Sequence, residues 1–268
     1  MEEGTSAFRY RGRVADHHGS VTVVLVHGVP ETDAVWQPLR DALGRDDVVS
    51  LSPPGFGAPV PGGFGATAAE YRDWLIGQLE QLAVPVDLVG HDWGAGHVMQ
   101  VAMTRPELLR SWVSDATGVF EPDYVWHELA QTWQRPGAGE ELVGAMMNAP
   151  IEQRAARLVE LGVTAEVARG MAAGQGEEMG RCILGLYRSA AQPAMRQLGE
   201  DLPAAARRPG LVVVPTEDHY GGTVELRRRA AARAGAEAAV LDGLGHWWMV
   251  QDPDQGARVL SGFWGRLG

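Results

Sequence analysis

Two residues in this chain have the types and settings to do covalent chemistry. Asp92 lies in Gly90-His91-Asp92-Trp93-Gly94, and His246 closes Gly243-Leu244-Gly245-His246. A carboxylate attacks a saturated carbon without a base to deprotonate it first. The alkyl ester that results is cleaved by water, which a base must activate. Asp92 suits the first task and His246 the second. The imidazole then needs an acid that orients it and stabilises its charged form. Asp218 is the first candidate, with Asp115 and then Glu217 as alternatives, since all three follow strand-like runs.

These side chains need a scaffold that presents them together. Residues 86–90 (VDLVG) form a short, mostly apolar run ending in glycine, as a buried strand does, and from Gly94 onward the chain reads as a helix. Glycines on both sides of the turn let strand and helix pack closely, which pushes Asp92 outward with its side chain presented. Further strands are expected at 21–26, 48–51, 111–115, 211–214 and 238–241, and helices near 36–43, 68–82, 224–234 and 253–267. Alternating strands and helices call for a parallel sheet covered on both faces. From Gly118 to about Leu202 the alternation stops. Short helices are expected there around 123–133, 140–148, 151–161, 164–173, 177–189 and 193–198, separated by Pro and Gly. The domain reading is a core of residues 1–117 and 203–268 with an inserted helical cap, 118–202. In the loop after the first strand, Val29-Pro30 is a candidate cis bond.

The order Asp92, acid, His246 along the chain is that of nucleophile, acid and histidine in one large fold family. Together with His27-Gly28-Val29-Pro30, the Pro-Pro-Gly-Phe-Gly loop and Thr216-Glu217-Asp218, it resembles the α/β-hydrolase superfamily in its aspartate-nucleophile branch, the epoxide hydrolases and haloalkane dehalogenases. The resemblance covers the whole sheet domain and matches the cap more loosely. It implies an α/β-hydrolase fold: a mostly parallel, doubly wound sheet with a helical cap. It also implies that the Val29 and Trp93 amides form the oxyanion hole and that Asp218 falls where the family's acid lies. Within the branch, epoxide hydrolysis to a diol comes first. Tyr187 in Leu-Tyr-Arg-Ser is similar to the segment whose cap tyrosine protonates the epoxide oxygen, and the only other cap tyrosine is Tyr124. Haloalkane dehalogenation is second, with Trp93 and a cap tryptophan, Trp126 or Trp133, as halide donors. A catalytically silent ligand-binding or biosynthetic relative is the alternative of another class, because fold does not determine function. His27, Pro30, Tyr124, Trp126 and Trp133 are expected along the substrate pocket.

Composition narrows the partners. The chain has 268 residues, 45% of them hydrophobic and 21% charged, and a formal net charge of −11. Such a balance disfavours nucleic acid and anionic membrane and says little about a small substrate. Trp126, Trp133, Met146, Met147 and Met171 in the cap point to an apolar one, with water as co-substrate of the resembled reaction. A second copy of the chain, in a homodimer, is a further candidate partner. Cys182 is the single cysteine, which suits a reducing compartment. The first residues carry no apolar signal-like run, and no apolar stretch is long enough to span a bilayer, so a cytoplasmic protein is expected. His27 and His91 read as loop-orienting residues beside the site. His17 and His18 sit in a turn-like His-His-Gly, and His97, His127 and His219 lack partners at metal-ligand spacing. Neither a metal nor a nucleotide cofactor is expected.

Overall fold

The structure is a computed structural model that describes residues 21–82 and 85–268. The readings made on the first residues, including the His17-His18 turn, lie outside the described residues. β1 (Val23–Val26) leads through a 3-10 turn, Asp33–Trp36, into α1 (Gln37–Leu43); β2 (Val48–Leu51) and α2 (Ala68–Leu79) follow. Next come β3 (Val86–Gly90), α3 (Trp93–Thr104) and β4 (Leu109–Ser114). All pairings among the described strands are parallel, in the order β2-β1-β3-β4 and onward to the two strands that come later in the chain.

Each strand turns alternate side chains to opposite faces. Val24, Val26, Leu88 and Val212 face a core shared with α2 and α3, whereas Val23, Leu25, Val89 and Val213 face the other, shared with α1. A sheet buried on both sides explains why its strands read as continuous β-branched runs rather than as alternating ones.

After Ser114 the chain leaves the sheet and returns at Gly210. Between lie α4 (Glu128–Gln134), α5 (Ala138–Asn148), α6 (Ile151–Glu160), α7 (Ala165–Gly174), α8 (Glu177–Ser189), α9 (Ala194–Leu198) and a 3-10 segment, Gly199–Arg207. Here α4 is shorter than the expected 123–133. Its N-cap is His127, whose ring Nδ1 accepts the Ala130 amide at 3.2 Å and so satisfies one of the free amides of the first turn. The 3-10 segment folds back on the sheet, where the Trp112 indole donates to the Ala205 carbonyl at 3.1 Å. β5 (Gly210–Pro215), α10 (Val224–Arg233), β6 (Glu237–Leu241), α11 (Trp248–Gln251) and α12 (Pro253–Gly265) complete the order β2-β1-β3-β4-β5-β6, with α12 packed against α1. No helix among the described residues is long and apolar enough to cross a membrane.

Candidate active site

The strand order reverses direction at β1 and β3, and in such sheets a crevice opens beyond the carboxyl ends of the strands at that point. Asp92 stands there, at the apex between β3 and α3, with φ 51° and ψ −121°. A non-glycine residue held at positive φ is strained, and the surroundings must impose the conformation. Two glycines make room for it. A Cβ on Gly94 would lie 2.1 Å from the Val26 carbonyl oxygen, and one on Gly28 would lie 2.2 Å from Asp92 Oδ1. The Val29 amide donates to Asp92 Oδ1 at 2.9 Å, across the cis Val29-Pro30 turn that the sequence suggested. Burial pushes the Asp92 carboxyl up to about 6, against the pull of His246 and His91.

His246 reaches this carboxyl from the loop after β6. Its Nε2 lies 3.8 Å from Asp92 Oδ2, too far for a hydrogen bond and close enough to share a water. Its Nδ1 lies 3.2 Å from Asp218 Oδ1, an ion-pair contact that is poorly aligned as a hydrogen bond. Asp218 is well secured: Oδ1 accepts the Tyr220 amide at 2.8 Å, and Oδ2 accepts from the buried Arg227 guanidinium at 2.6 Å. Burial alone would raise its pKa, but the facing imidazole and guanidinium hold it far below the usual carboxylate range. For His246 burial acts downward, and the Asp218 charge carries the ring above its ordinary value. The rival acids are placed elsewhere. Asp115 pairs with His91 at 2.6 Å and accepts the Asp92 amide at 3.0 Å, and Glu217 is exposed.

A cavity of about 560 Å³ opens above Asp92 and His246, walled by Val29 and Pro30 below and by Trp133, Met147 and Tyr187 of the helical insertion above. Tyr187 stands edge-on to Trp93, with ring centroids 5.2 Å apart, at the cavity wall above Asp92. Burial first, then the Asp92 charge, pushes that phenol well above its ordinary value, and it stays protonated. Trp133 Nε1 is buried without a hydrogen-bond partner among the described residues.

Three residues expected on the wall stand behind it. His27 is fully buried, with Nδ1 3.0 Å from the Gly28 carbonyl. Tyr124 spends its O–H on the Tyr220 carbonyl at 2.9 Å, and Trp126 stacks on Trp93 with ring centroids 5.8 Å apart. All three belong to the aromatic and backbone layer that supports the wall, which burial patterns alone do not separate from the wall itself.

Other wall residues carried no signal that spacing could reveal. Tyr220 lies edge-on to His246, with centroids 4.8 Å apart, and His127 lies edge-on to Tyr220. Tyr220 follows the proposed acid by two residues, and a polar aromatic beside an acid on a loop was the one available cue. Gln175, between α7 and α8, donates to the Pro30 carbonyl at 2.8 Å while its own carbonyl accepts from Arg154 at 2.5 Å. That pair ties the insertion to the turn that carries Val29. Glu31, His91 and His246 come within metal-ligand distance of one another. Both nitrogens of His91 are, however, already donated to carboxylates, so this donor set is closed by its own ion pairs.

Residues 23–259 match the model of the alpha/beta hydrolase family. An (E)-2-((N-methylformamido)methylene)succinate hydrolase of Acinetobacter baylyi is 32% identical over 90 residues, 33% of this chain and 34% of that protein. An epoxide hydrolase of Caballeronia sordidicola is 30% identical over 104 residues, 37% and 31% of the two chains. The matched stretch thus spans about a third of the length of these curated relatives. Among solved structures, haloalkane dehalogenase DbeA from Bradyrhizobium elkani has a TM-score of 0.72 at 20% identity, covering 94% of this chain and 92% of that one. An E-2-(acetamidomethylene)succinate hydrolase has a TM-score of 0.71 at 18% identity, covering 91% of each. At these identities the likeness is one of fold.

Proposed function

The chain belongs to the alpha/beta hydrolase family, and within it we propose an epoxide hydrolase that works through an ester on Asp92. In this reading Asp92 Oδ2, the oxygen without the Val29 amide, attacks a ring carbon of the epoxide. The carbon–oxygen bond breaks, and its electron pair goes to the oxygen, which takes the Tyr187 proton. His246 then removes a proton from water, and the hydroxide attacks Asp92 Cγ. Charge builds on Oδ1, where the Val29 amide already points. Trp93 opens α3, and its amide belongs to the first turn, which has no intrahelical acceptor, so it serves as the second donor. Collapse releases the diol, whose departing oxygen takes the proton from His246, and the second proton of the water, left on the Asp92 carboxyl, returns to the Tyr187 phenolate. The helical insertion acts as a cap that keeps bulk water from the ester.

The observation that carries this reading is the place of Tyr187, on the wall of the cavity that also holds Asp92 and His246. Burial and the Asp92 charge keep this phenol protonated, so it can donate to the leaving group, which an alkoxide needs and a halide does not. Haloalkane dehalogenation is the second reading. It is favoured by Trp133 Nε1, a buried N–H at the cavity with no partner among the described residues. The wall of Trp133, Met147, Leu142 and Leu158 favours an apolar substrate in either case.

The deciding experiment offers the purified protein panels of epoxides and bromoalkanes and measures diol and free halide. Diol release is expected, and Tyr187→Phe should lower it by ~10²–10⁴-fold, the usual worth of a general acid. His246→Gln should stall with the mass of one substrate added to a peptide containing Asp92. Halide release that is indifferent to Tyr187→Phe would favour the second reading. An adduct elsewhere than Asp92 would end both.

A further inference from the structure

Helix α6 turns a charged face toward the cavity. Arg154, Arg157, Leu158 and Leu161 follow the i, i+3, i+4, i+7 spacing that shares one side of a helix, and all four line the cavity. A stripe that only packs is apolar, as Leu129 and Trp133 of α4 and Leu142 and Met147 of α5 are along the same cavity. On α6 two of the four positions are arginine. Elsewhere acids are plentiful, 34 Asp and Glu against 23 arginines, and buried or interhelical guanidinium groups find them. Arg188 meets Glu140, Arg227 meets Asp218 and Arg229 meets Glu121. Neither cavity arginine pairs with a carboxylate among the described residues, although Glu160 lines the cavity one turn beyond Arg157.

The two guanidinium groups are set differently. Arg154 is half-buried and held in place, its Nη1 donating to the Gln175 carbonyl at 2.5 Å, while its Nε is buried with no partner among the described residues. A buried N–H without an acceptor costs free energy, which an incoming anion would recover. Arg157 is exposed, so it stands where the cavity meets solvent, and its charge reaches the Tyr220 phenol beside His246. A guanidinium offers a planar fork of donors that fits a carboxylate, and it stays charged at any working pH. Two such charges against Glu160 leave one positive charge in excess, which matches a single negative charge. We propose that Arg154 and Arg157 form a carboxylate-binding subsite, so that the substrate is an epoxide on an apolar chain that ends in a carboxylate. The apolar chain lies along Trp133, Met147 and Leu158, and the charged end faces α6 at the solvent side.

The proposal rests on the reading of this cavity as the substrate site of an epoxide hydrolase, but its test needs no reaction. Octanoate and octanol share one apolar chain and differ in the charge at its end. Calorimetric titration at pH 7.5 should show octanoate bound ~10–100-fold more tightly, the worth of hydrogen bonds to a charged group. The double variant Arg154→Met/Arg157→Met should bring the two affinities within about threefold of each other, by loosening octanoate. If that variant fails to fold because the Gln175 tie is lost, Arg157→Met decides alone, since its exposed side chain holds no other element. It should lower the preference for octanoate by about threefold or more. Equal affinities in the wild type, or a preference that survives loss of the arginines, overturn the proposal. Tighter binding of octyl phosphate than of octanoate also overturns it, because the excess of one charge would then be misread. With reacting molecules, an epoxide ending in a carboxylate should exceed its methyl ester in kcat/KM by ~10-fold or more, chiefly through KM. Diol from neutral epoxides without any preference for octanoate strikes the subsite and leaves the reaction standing. A clear preference for octanoate with no epoxide opened strikes the reaction and leaves the subsite.

Discussion

Asp92 is uncomfortable in every physical respect that can be named. Its backbone sits at φ 51°, and its carboxyl is shielded from water with a pKa near 6 rather than 3.8. The distance between those values corresponds to ~3 kcal/mol held against the ionised form. Since the folded value is raised, the folded state is disfavoured above it, and the penalty fades as pH falls from about 6 toward 3.8. Asp92→Asn should therefore abolish turnover and yet raise the melting temperature at pH 7.5 by ~3 °C or more. Near pH 4 the two melting curves should converge. Calorimetry at both pH values checks this. A variant less stable than wild type at pH 7.5 would mean that Asp92 is a structural ion-pair partner rather than a strained nucleophile.

At the scale of elements, the site depends on how closely three pieces approach: the end of β1, the end of β3 and the start of α3. No side chain fits at position 28, because its Cβ would overlap Asp92 Oδ1 and stand within 2.4 Å of Asp92 Cβ. Gly28→Ala should thus displace the carboxyl without harming the sheet, since its neighbours belong to a turn. A shift of about 1 Å at a reacting atom costs ~10²-fold, so kcat should fall by that order while the far-UV spectrum is unchanged. Turnover within about threefold of wild type would show that the Gly28-Val29 turn yields, and that Val29 does not hold the donor position claimed for it. The helical insertion reaches this turn through Gln175 and Pro30. The insertion and the turn that carries the Val29 amide are therefore joined by a hydrogen bond between two elements.

For the molecule as a whole, the charges buried under the site bring a dependence on acid. Against the cost of burial, His91 holds Glu31 down to about 2 from an ordinary 4.5, and Asp218 is held lower still. Because these folded values are depressed, the stability they contribute is fully present above about 4.5 and is lost as pH falls toward about 2. The urea midpoint should be nearly flat from pH 7 to 5 for these groups and then drop steeply below pH 4.5. Asp218→Asn should be less stable at pH 7, because Arg227 loses its buried partner, by ~3–5 kcal/mol. Its stability should also vary less with acid. A variant as stable as wild type at neutral pH would mean that Arg227 finds other acceptors when Asp218 is gone.

Much of this protein is legible along the chain, because its strongest signals are local. Continuous β-branched runs mark strands buried on both faces, Gly90 and Gly94 mark a turn that only small residues allow, and the order Asp92, Asp218, His246 follows from where the strands end. The sheet, its parallel direction and the elbow could all be read from those runs and spacings. Contacts between distant segments could not. Asp115, Glu217 and Asp218 look alike as acids after strands, and only packing places Asp115 on His91 and Asp218 on His246. Tyr124 and Tyr187 look alike as tyrosines among the inserted helices, yet one donates to the Tyr220 carbonyl and the other opens on the cavity. Glu31 gave no sign of its place among Gly28, His91 and Trp247, which lie up to 216 residues away along the chain. Periodicity and turn chemistry act over a few residues and so are written in order along the chain. Which buried polar group meets which is decided only when remote loops close on one another and each donor must find an acceptor.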